Sequence, residues 1–285
     1  MKNSLKLFAF LLVATLLLVA CGGGGGDDLL ADIEERGTIR ISTDPNYAPQ
    51  SFLNEEGEYE GFDIDVAREI AERLGVEVEF VAPSWDLITA GNWGGQWDMS
   101  VGSMTVTTAR QEVLDFAEPA YYYTPAQFAA AAASGIDSLE AIAGQPVCVG
   151  TATTYESWLN GDLAGLGLPE SSLYAEAPAD ITVVSLSTDA ECAQSIQAGR
   201  TEFSLFLTSA TVIDAAIAEG LPVVKVGDPV FSENLAVAFD KNGELNNDTL
   251  VARVSEIVAE MHEDGTLSEL SLKHFEADLT ADPSQ

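Results

Sequence analysis

Gly102-Ser-Met-Thr-Val-Thr-Thr-Ala-Arg110 is the most informative stretch of this chain. Four of its side chains carry hydroxyl groups, and its only cation is the arginine at its end. It follows a predicted strand at residues 98–101, and Thr107 is a suitable N-cap for a helix that holds Arg110 in its first turn. Such a stretch is either a sheet edge that leads into a helix or part of a polar pocket that binds a negatively charged group.

Strand and helix patterns alternate along the rest of the chain. The clearest helix, residues 62–74, has Val66, Ile70 and Leu74 on one stripe and ends at Gly75. Further strands are predicted at residues 38–43, 76–81, 127–133, 147–149, 181–184, 203–207 and 223–226. Further helices are predicted at residues 85–90 and 249–261. Three more helices are predicted to begin at residues 150–154, at residue 188 and at residue 268. This alternation predicts an α/β fold with mostly parallel sheets.

The N-terminus has the pattern of an export signal. Two lysines precede an apolar run at residues 7–20, which is short for a membrane span and is interpreted as a secretory signal. Leu18-Val-Ala-Cys21 resembles the bacterial lipoprotein processing box, which implies cleavage before Cys21 and lipidation of its sulfur; the alternative is an ordinary signal with a chance cysteine. We therefore predict a signal peptide at residues 1–20 and a lipidated, Gly-rich tether at residues 21–35. The folded part would lie outside the cytoplasmic membrane, anchored to a leaflet.

Two cysteines remain after Cys21. In an oxidising compartment Cys148 and Cys192 are more often bridged than free, so we predict a disulfide, with two buried thiols as the alternative. A catalytic cysteine is disfavoured because the only histidines, His262 and His274, lie near the C-terminus and no Cys/His pairing is indicated.

Composition excludes some partners. The chain has 12 Lys and Arg against 46 Asp and Glu, a net charge of −34. Nucleic-acid binding requires a basic surface and is excluded. No metal or cofactor motif is recognised: the oxygen-rich residues 240–244 are interpreted as a turn, because Leu245 stands where a calcium loop needs glycine. The mature chain is long enough for one large domain or two lobes.

Three polar stretches follow predicted strands, where α/β folds bind ligands beside helix N-termini. They are Asp44-Pro-Asn-Tyr47, Ser103 to Arg110, and Gly150-Thr-Ala-Thr153. Their N–H groups, hydroxyls and single guanidinium suit a carboxylate, which arginine binds with two parallel hydrogen bonds. Phosphate is a weaker candidate because the chain has no P-loop or GxGxxG motif.

Four motifs stand in the order and at the spacing of a known family. They are Gly37-Thr-Ile-Arg-Ile-Ser-Thr-Asp-Pro-Asn-Tyr-Ala-Pro49, Gly61-Phe-Asp-Ile-Asp65, Met104-Thr-Val-Thr-Thr-Ala-Arg110 and Asp115-Phe-Ala-Glu-Pro-Ala-Tyr121. Together they resemble the polar amino-acid-binding family of ABC-importer solute-binding proteins, with the type II periplasmic-binding fold. The resemblance implies that two α/β lobes close over one small molecule. The first lobe would comprise residues 36–124 and 232–285, and the second residues 125–231, joined by two crossover strands. Cys148 and Cys192 then share the second lobe, which favours their pairing.

The resemblance also implies roles for single residues. Arg110 matches the arginine that binds the ligand carboxylate, and Thr105 would add an N–H and a hydroxyl. Ser103 matches a position that meets the ligand's amino group through its backbone oxygen or hydroxyl. Thr151 and Ala152 match a second-lobe loop whose N–H groups complete the carboxylate site.

Three further residues match the part of the site around the ligand side chain. Tyr47 and Trp85 match the aromatic or apolar walls, and Asp44 matches a residue that meets the polar end. Core packing is the alternative for the two aromatics. For Arg110 the alternative is a surface ion pair with Glu112 or Asp115.

One departure from the family leaves the ligand open. Relatives place an aspartate for the ligand ammonium on a second-lobe strand, where this chain has Leu207 or Ser209. Asp189 or Asp44 would replace it, or the ligand carries no α-ammonium there. Another departure is Gln50, where relatives usually have phenylalanine. A polar or cationic amino acid is favoured; the alternative is a small carboxylate, or one whose amine lies further from the acid group.

Three function classes follow from the resemblance. A monomeric transport receptor that delivers its ligand to an ABC permease is favoured by the anchor. A sensory binding module is the first alternative. The second is an enzyme similar to cyclohexadienyl dehydratase, which would need a general acid in the cleft, and only Asp44, Asp86 and Asp189 are candidates.

Overall fold

The computed structural model describes residues 27–283. The predicted signal peptide and the predicted lipidation site at Cys21 lie outside the described residues. Within the described range, every helix is too short or too polar to cross a bilayer.

The described chain alternates strands and helices as predicted. The strands are β1 (Thr38–Ser42), β2 (Asn46–Tyr47), β3 (Ser51–Leu53), β4 (Tyr59–Glu60), β5 (Glu77–Val81), β6 (Met99–Thr105), β7 (Leu114–Phe116), β8 (Tyr122–Ala131), β9 (Pro146–Gly150), β10 (Thr182–Leu186), β11 (Leu205–Ser209) and β12 (Val223–Asp240). The helices are α1 (Leu29–Arg36), α2 (Phe62–Leu74), α3 (Trp85–Thr89), α4 (Thr108–Gln111), α5 (Thr154–Leu159), α6 (Leu163–Leu166), α7 (Asp189–Gln197), α8 (Ala210–Ala218), α9 (Asp248–Glu263) and α10 (Thr266–Phe275). Short 3₁₀ helices lie at Ala132–Ser134, Leu139–Ile142 and Glu170–Ser172.

Nine strands form one sheet with the order β10-β9-β11-β8-β12-β6-β1-β5, and β7 pairs with β12. Each end of this sheet is parallel: β6, β1 and β5 at one end, and β10, β9 and β11 at the other. The long strands β8 and β12 run antiparallel between the two ends. The predicted α/β fold with mostly parallel sheets is therefore confirmed for each half, and two antiparallel crossover strands join the halves.

Two sets of buried side chains support a two-lobe architecture. One core packs α1, α2 and α9 against β1, β6 and the far end of β12, with Ile41, Ile70 and Val254 at its centre. The other half is filled by separate clusters on the two faces of its sheet, which include Phe128 and Phe206. A fold of this type leaves a cleft between its halves.

The predicted disulfide is present. Cys148 on β9 and Cys192 on α7 are bonded, with their Cα atoms 5.8 Å apart. Both cysteines are fully buried in the second half of the molecule, and the bond joins α7 to β9.

Two predicted boundaries are corrected by packing. The end of the predicted tether is helix α1, capped by the Asp28 side chain, and its Ile33 is fully buried in the first core. The strand predicted at residues 223–226 is only the start of β12, whose pairing continues to Asp240 across a register shift between Val226 and Phe231. The neighbouring strand β8 pairs with β12 on both sides of this shift, so the strand continues beyond the predicted end.

Candidate ligand-binding site

A cleft between the halves collects most of the predicted site residues. We call "the cleft" the cavity lined by Asp44, Tyr47, Trp85, Gly102, Ser103, Thr105, Arg110, Thr153, Thr154, Tyr155, Ser187, Thr188, Asp189 and Glu233. Of the predicted ligand residues, Thr151 and Ala152 do not line it. The others are brought together from β1–β2, α3, β6, α4 and α7, which are distant in sequence.

Arg110 is placed by local sequence. The Thr107 hydroxyl accepts a hydrogen bond from the Arg110 N–H at 3.2 Å and begins α4, as its N-cap pattern predicts. The side chain is buried, its Nη1 and Nη2 donate to the carbonyls of Thr105 (3.0 Å) and Ala152 (3.1 Å), and its guanidinium lies 5.4 Å from the centre of the Trp85 ring. Burial lowers the pKa of Arg110 to about 10.

Arg110 retains donors for a ligand. Its guanidinium has five N–H groups, of which the two carbonyls use two. Within the described part of the chain it forms no ion pair, so the alternative of a surface pair with Glu112 or Asp115 is not what the structure shows. A buried guanidinium whose hydrogen bonds go to neutral carbonyls favours an anion.

The N–H groups of Thr151 and Ala152, which are predicted to bind the ligand, have partners within the protein in this structure. The Thr151 N–H donates to the Leu186 carbonyl at 2.8 Å, and the Ala152 N–H donates to Glu156 Oε2 at 2.7 Å. Ala152 has φ of 61°, which turns its N–H toward Glu156. The cleft is lined instead by the first turn of α5, where Thr154 and Tyr155 are among the residues whose N–H groups a helix leaves unpaired.

Asp189 brings a carboxylate next to β11, the strand that has no acid at residues 207 and 209. It is the first residue of α7, its Oδ1 accepts the Gly150 N–H at 2.6 Å, and its Oδ2 accepts the Thr208 hydroxyl at 3.1 Å. Leu207 packs in the core, and the Ser209 hydroxyl is 2.8 Å from that of Thr124. The strand therefore contributes Thr208 as a partner for Asp189, and α7 contributes the carboxylate.

Burial raises the pKa of each of the three acids in the cleft. It raises the pKa of Asp189 to about 7. It also raises the pKa of Asp44, whose Oδ1 accepts the Asn46 N–H at 2.7 Å, and the pKa of Glu233. Each carboxylate would be stabilised in its charged form by a ligand cation.

Glu233 is the site residue that the sequence analysis missed. It lies on crossover strand β12 and is 2% exposed. Its carboxylate accepts hydrogen bonds from the hydroxyls of Thr105 (2.7 Å), Thr154 and Tyr155 (2.7 Å). The only signal in the sequence was an acid between the apolar residues Phe231 and Leu235, which local patterns assign equally well to a solvent-facing strand position.

Ser103 lines the cleft in a left-handed conformation, with φ of 52°. Its N–H donates to the Tyr121 hydroxyl at 2.8 Å, and its hydroxyl donates to Asp63 at 2.7 Å and lies 2.6 Å from the Tyr122 hydroxyl. The hydroxyl is thus engaged below the cleft, and the backbone carbonyl is the group of Ser103 left for a ligand amino group.

Several hydrogen bonds close the cleft. The Ala152 carbonyl accepts from Trp85 Nε1 at 3.2 Å as well as from Arg110. Gln50 is fully buried and donates to the Thr211 hydroxyl of α8 at 2.6 Å. The structure is therefore a closed arrangement, and Tyr47 and Trp85 face the cleft from the first half.

The charges of the cleft set its chemistry. Its lining contains one cation, Arg110, and three acids, Asp44, Asp189 and Glu233. No group of three His, Cys, Asp or Glu residues in the described range is arranged to hold a metal ion. Such a lining suits a small molecule that carries a carboxylate together with a cationic group.

Known proteins resemble this chain along most of its length. The family model for bacterial extracellular solute-binding proteins, family 3, matches residues 39–277. The L-cystine-binding protein of Escherichia coli K12 is 27% identical over 256 residues, which cover 88% of each chain. The histidine-binding periplasmic protein of the same strain is 29% identical over 250 residues, 85% of this chain and 88% of its own.

One solved structure is similar to this chain over most of its length, as these relatives are in sequence. The crystal structure of an ancestral amino acid-binding protein, described as a precursor of cyclohexadienyl dehydratase, aligns with a TM-score of 0.70 and 29% identity over 86% of this chain and 99% of its own. The curated relatives named above are binding proteins, and the match extends over both halves of the fold and the cleft. The chain belongs to the bacterial extracellular solute-binding proteins, family 3.

Proposed function

We propose that this protein is the receptor of an ABC importer and captures a polar or cationic amino acid by closure of its two lobes. One observation carries the proposal: Arg110 and Asp189 are both buried in the cleft, and the hydrogen bonds of each go to neutral groups. An amino acid brings a carboxylate for the first and an ammonium for the second in one molecule. The relatives named above bind amino acids, as their names state.

The bound ligand is proposed to lie between the two charges. Its carboxylate would take the remaining N–H groups of Arg110 and the first-turn N–H groups of α5. Its ammonium would face Asp189 and the Ser103 carbonyl. The side chain would lie between Tyr47 and Trp85, with its polar end toward Asp44. In this proposal the second-lobe contacts come from Thr154 and Tyr155, which line the cleft, rather than from Thr151 and Ala152.

The lobes are proposed to have the bounds expected from the sequence, residues 36–124 with 232–285 and residues 125–231. Strands β8 and β12 cross between them and would act as the hinge, since crossover segments absorb such motion. The radius of gyration in solution should fall when ligand saturates the protein. An unchanged value would contradict closure.

Location and partners complete the proposal. Family membership places the protein outside the cytoplasm, and we propose that lipidated Cys21 anchors a monomer beside its permease. Cys21→Ser should release the protein from membranes in fractionation. Persistent membrane association of that variant would contradict the anchor without affecting the binding site.

A thermal-shift panel tests the binding function itself. Ligands that bind only the native state raise the melting temperature in proportion to the logarithm of their excess over Kd. We expect polar and cationic amino acids to raise it most. No shift with any amino acid would contradict the proposal.

A further inference from the structure

Glu233 connects the parts of the cleft that a ligand carboxylate would join. Thr105 lies on β6 in the first lobe, while Thr154 and Tyr155 begin α5 in the second, and all three hydroxyls donate to the Glu233 carboxylate. The side chain is almost completely buried, so water does not screen its charge. A carboxylate of the protein itself therefore lies in the region expected for the carboxylate of a ligand.

The charge of Glu233 also acts on Arg110. The two groups attract one another across the cleft, and this attraction partly offsets the effect of burial on the pKa of each. Glu233 therefore already compensates part of the positive charge of Arg110 before a ligand enters. A ligand carboxylate beside Arg110 adds a second negative charge near Glu233, and two carboxylates in a desolvated site repel one another.

We propose that Glu233 is a specificity-determining residue, which prevents Arg110 from holding an anion unless the same molecule also brings a cation. The inference rests on the proposed function, in which Arg110 binds the ligand carboxylate. Asp44 and Asp189 supply the places where that cation is stabilised. Simple monocarboxylates and dicarboxylates are thus rejected, although the cleft contains an arginine that would bind them by itself.

Four acids with the same six-carbon skeleton test the inference. L-lysine carries two ammonium groups, L-norleucine and 6-aminohexanoate carry one each, and hexanoate carries none. We expect the wild-type protein to bind hexanoate at least about a hundredfold more weakly than L-lysine, a difference of about 2.7 kcal/mol. Calorimetry, with competition for the weak ligands, measures all four.

Glu233→Gln removes the charge and keeps the shape of the side chain. This variant should strengthen hexanoate binding about tenfold without strengthening L-lysine binding. Glu202→Gln is the matched control, because Glu202 is an exposed acid of the second lobe, and it should leave all four affinities unchanged.

The other outcomes overturn the inference in distinguishable ways. Equal weakening of all four acids by Glu233→Gln would show that Glu233 only holds the lobes together. Weaker L-lysine binding with unchanged hexanoate binding would show a direct ammonium partner instead. If the variant does not fold, the order of the four affinities for the wild-type protein tests the inference. Hexanoate binding as tightly as L-norleucine would then overturn it. If no amino acid binds the wild-type protein, the proposed function itself is contradicted, and the inference about Glu233 rests on that function.

Discussion

The two ends of the cleft bury opposite charges in different ways. Arg110 is held by two carbonyl groups and the face of Trp85, whereas Asp189 is held by one backbone N–H and one hydroxyl. Burial lowers the pKa of Arg110 to about 10 but raises that of Asp189 to about 7. Near neutral pH the cationic end is therefore permanently charged, while the anionic end is partly protonated until a ligand arrives.

Because of this difference, the two ends of the cleft contribute differently to ligand binding. The arginine end is ready for a carboxylate at any physiological pH. The aspartate end gains full charge only when a cation lies beside it, because an opposite charge favours the ionised carboxyl. The arginine should therefore contribute most of the affinity, and the aspartate should add affinity only for ligands that carry a cationic group.

Removing the arginine should have the largest effect. Arg110→Ala is expected to cost about 2–5 kcal/mol of ligand binding, roughly thirty- to several-thousand-fold, because a buried charged partner is lost. The fold should persist, since the guanidinium contacts only two carbonyls and a ring. Calorimetry measures the loss, with Arg68→Ala, an exposed arginine of α2, as the control. Near-normal affinity would refute the role of Arg110.

Neutralising the aspartate should have a smaller and more selective effect. Asp189→Asn is expected to cost about 1.5–3 kcal/mol for a ligand with an α-ammonium, the range of a hydrogen bond to a charged group. The analogue without that ammonium should bind both proteins equally. Asp214→Asn, at an exposed position of α8, serves as the control. Equal losses for ligand and analogue would indicate that Asp189 only supports Gly150 and Thr208.

The structure also revises an expectation about that analogue. With no acid at Leu207 or Ser209, removal of the α-amino group would be expected to cost less than about 2 kcal/mol, the range of an ordinary hydrogen bond. The buried carboxylate of Asp189 raises this expectation toward about 4 kcal/mol, the range of a broken buried ion pair. Direct comparison of the best ligand with its deamino form measures the difference.

Ligand binding should release a proton from the aspartate end. Free Asp189 keeps its proton up to about pH 7, so a cationic ligand displaces that proton below this pH, and affinity should rise with pH by at most about tenfold per unit. Without ligand, the raised pKa means that the free energy of unfolding falls as pH rises from the ordinary carboxyl value toward 7. Calorimetry in buffers of different ionisation enthalpy counts the protons. No release, or equal release in Asp189→Asn, would contradict this.

The smallest expected effect concerns closure rather than charge. Thr211→Val removes the acceptor of the buried Gln50 amide and should weaken ligand binding by about 0.5–1.5 kcal/mol, because the closed form loses one hydrogen bond between lobes. The ligand-free protein should also have a larger radius of gyration. Thr201→Val, at an exposed position, is the control. Unchanged affinity and size would show that this bond does not contribute to closure.

Local patterns in the sequence were sufficient for the elements that build the arginine end. Helix α2 spans the predicted residues and ends at Gly75 in the left-handed conformation, because its apolar stripe and its C-cap are both local features. Thr107 caps α4 for the same reason, which fixes Arg110 one turn beyond β6. The family resemblance then predicted which of these polar groups would face a ligand.

The aspartate end depended on tertiary structure. Asp189, Gly150 and Thr208 belong to separate elements, and only the packing of α7 against β9 and β11 brings their polar groups together. Sequence reasoning could name Asp189 as a candidate, but it could not show that its carboxylate is buried. Local patterns likewise could not show that Ala152 turns its N–H away from the cleft.

The α/β class, the family resemblance and Arg110 as a cleft residue could all be predicted from the sequence, because periodicity, caps and ordered motifs are carried by neighbouring residues. The tertiary structure alone decided that β12 runs through both halves and places Glu233 among hydroxyls from each. Desolvation explains why the sequence could not show this. Whether an acid is a solvated surface group or a buried charge depends on the elements that cover it, and those elements are far away in the chain.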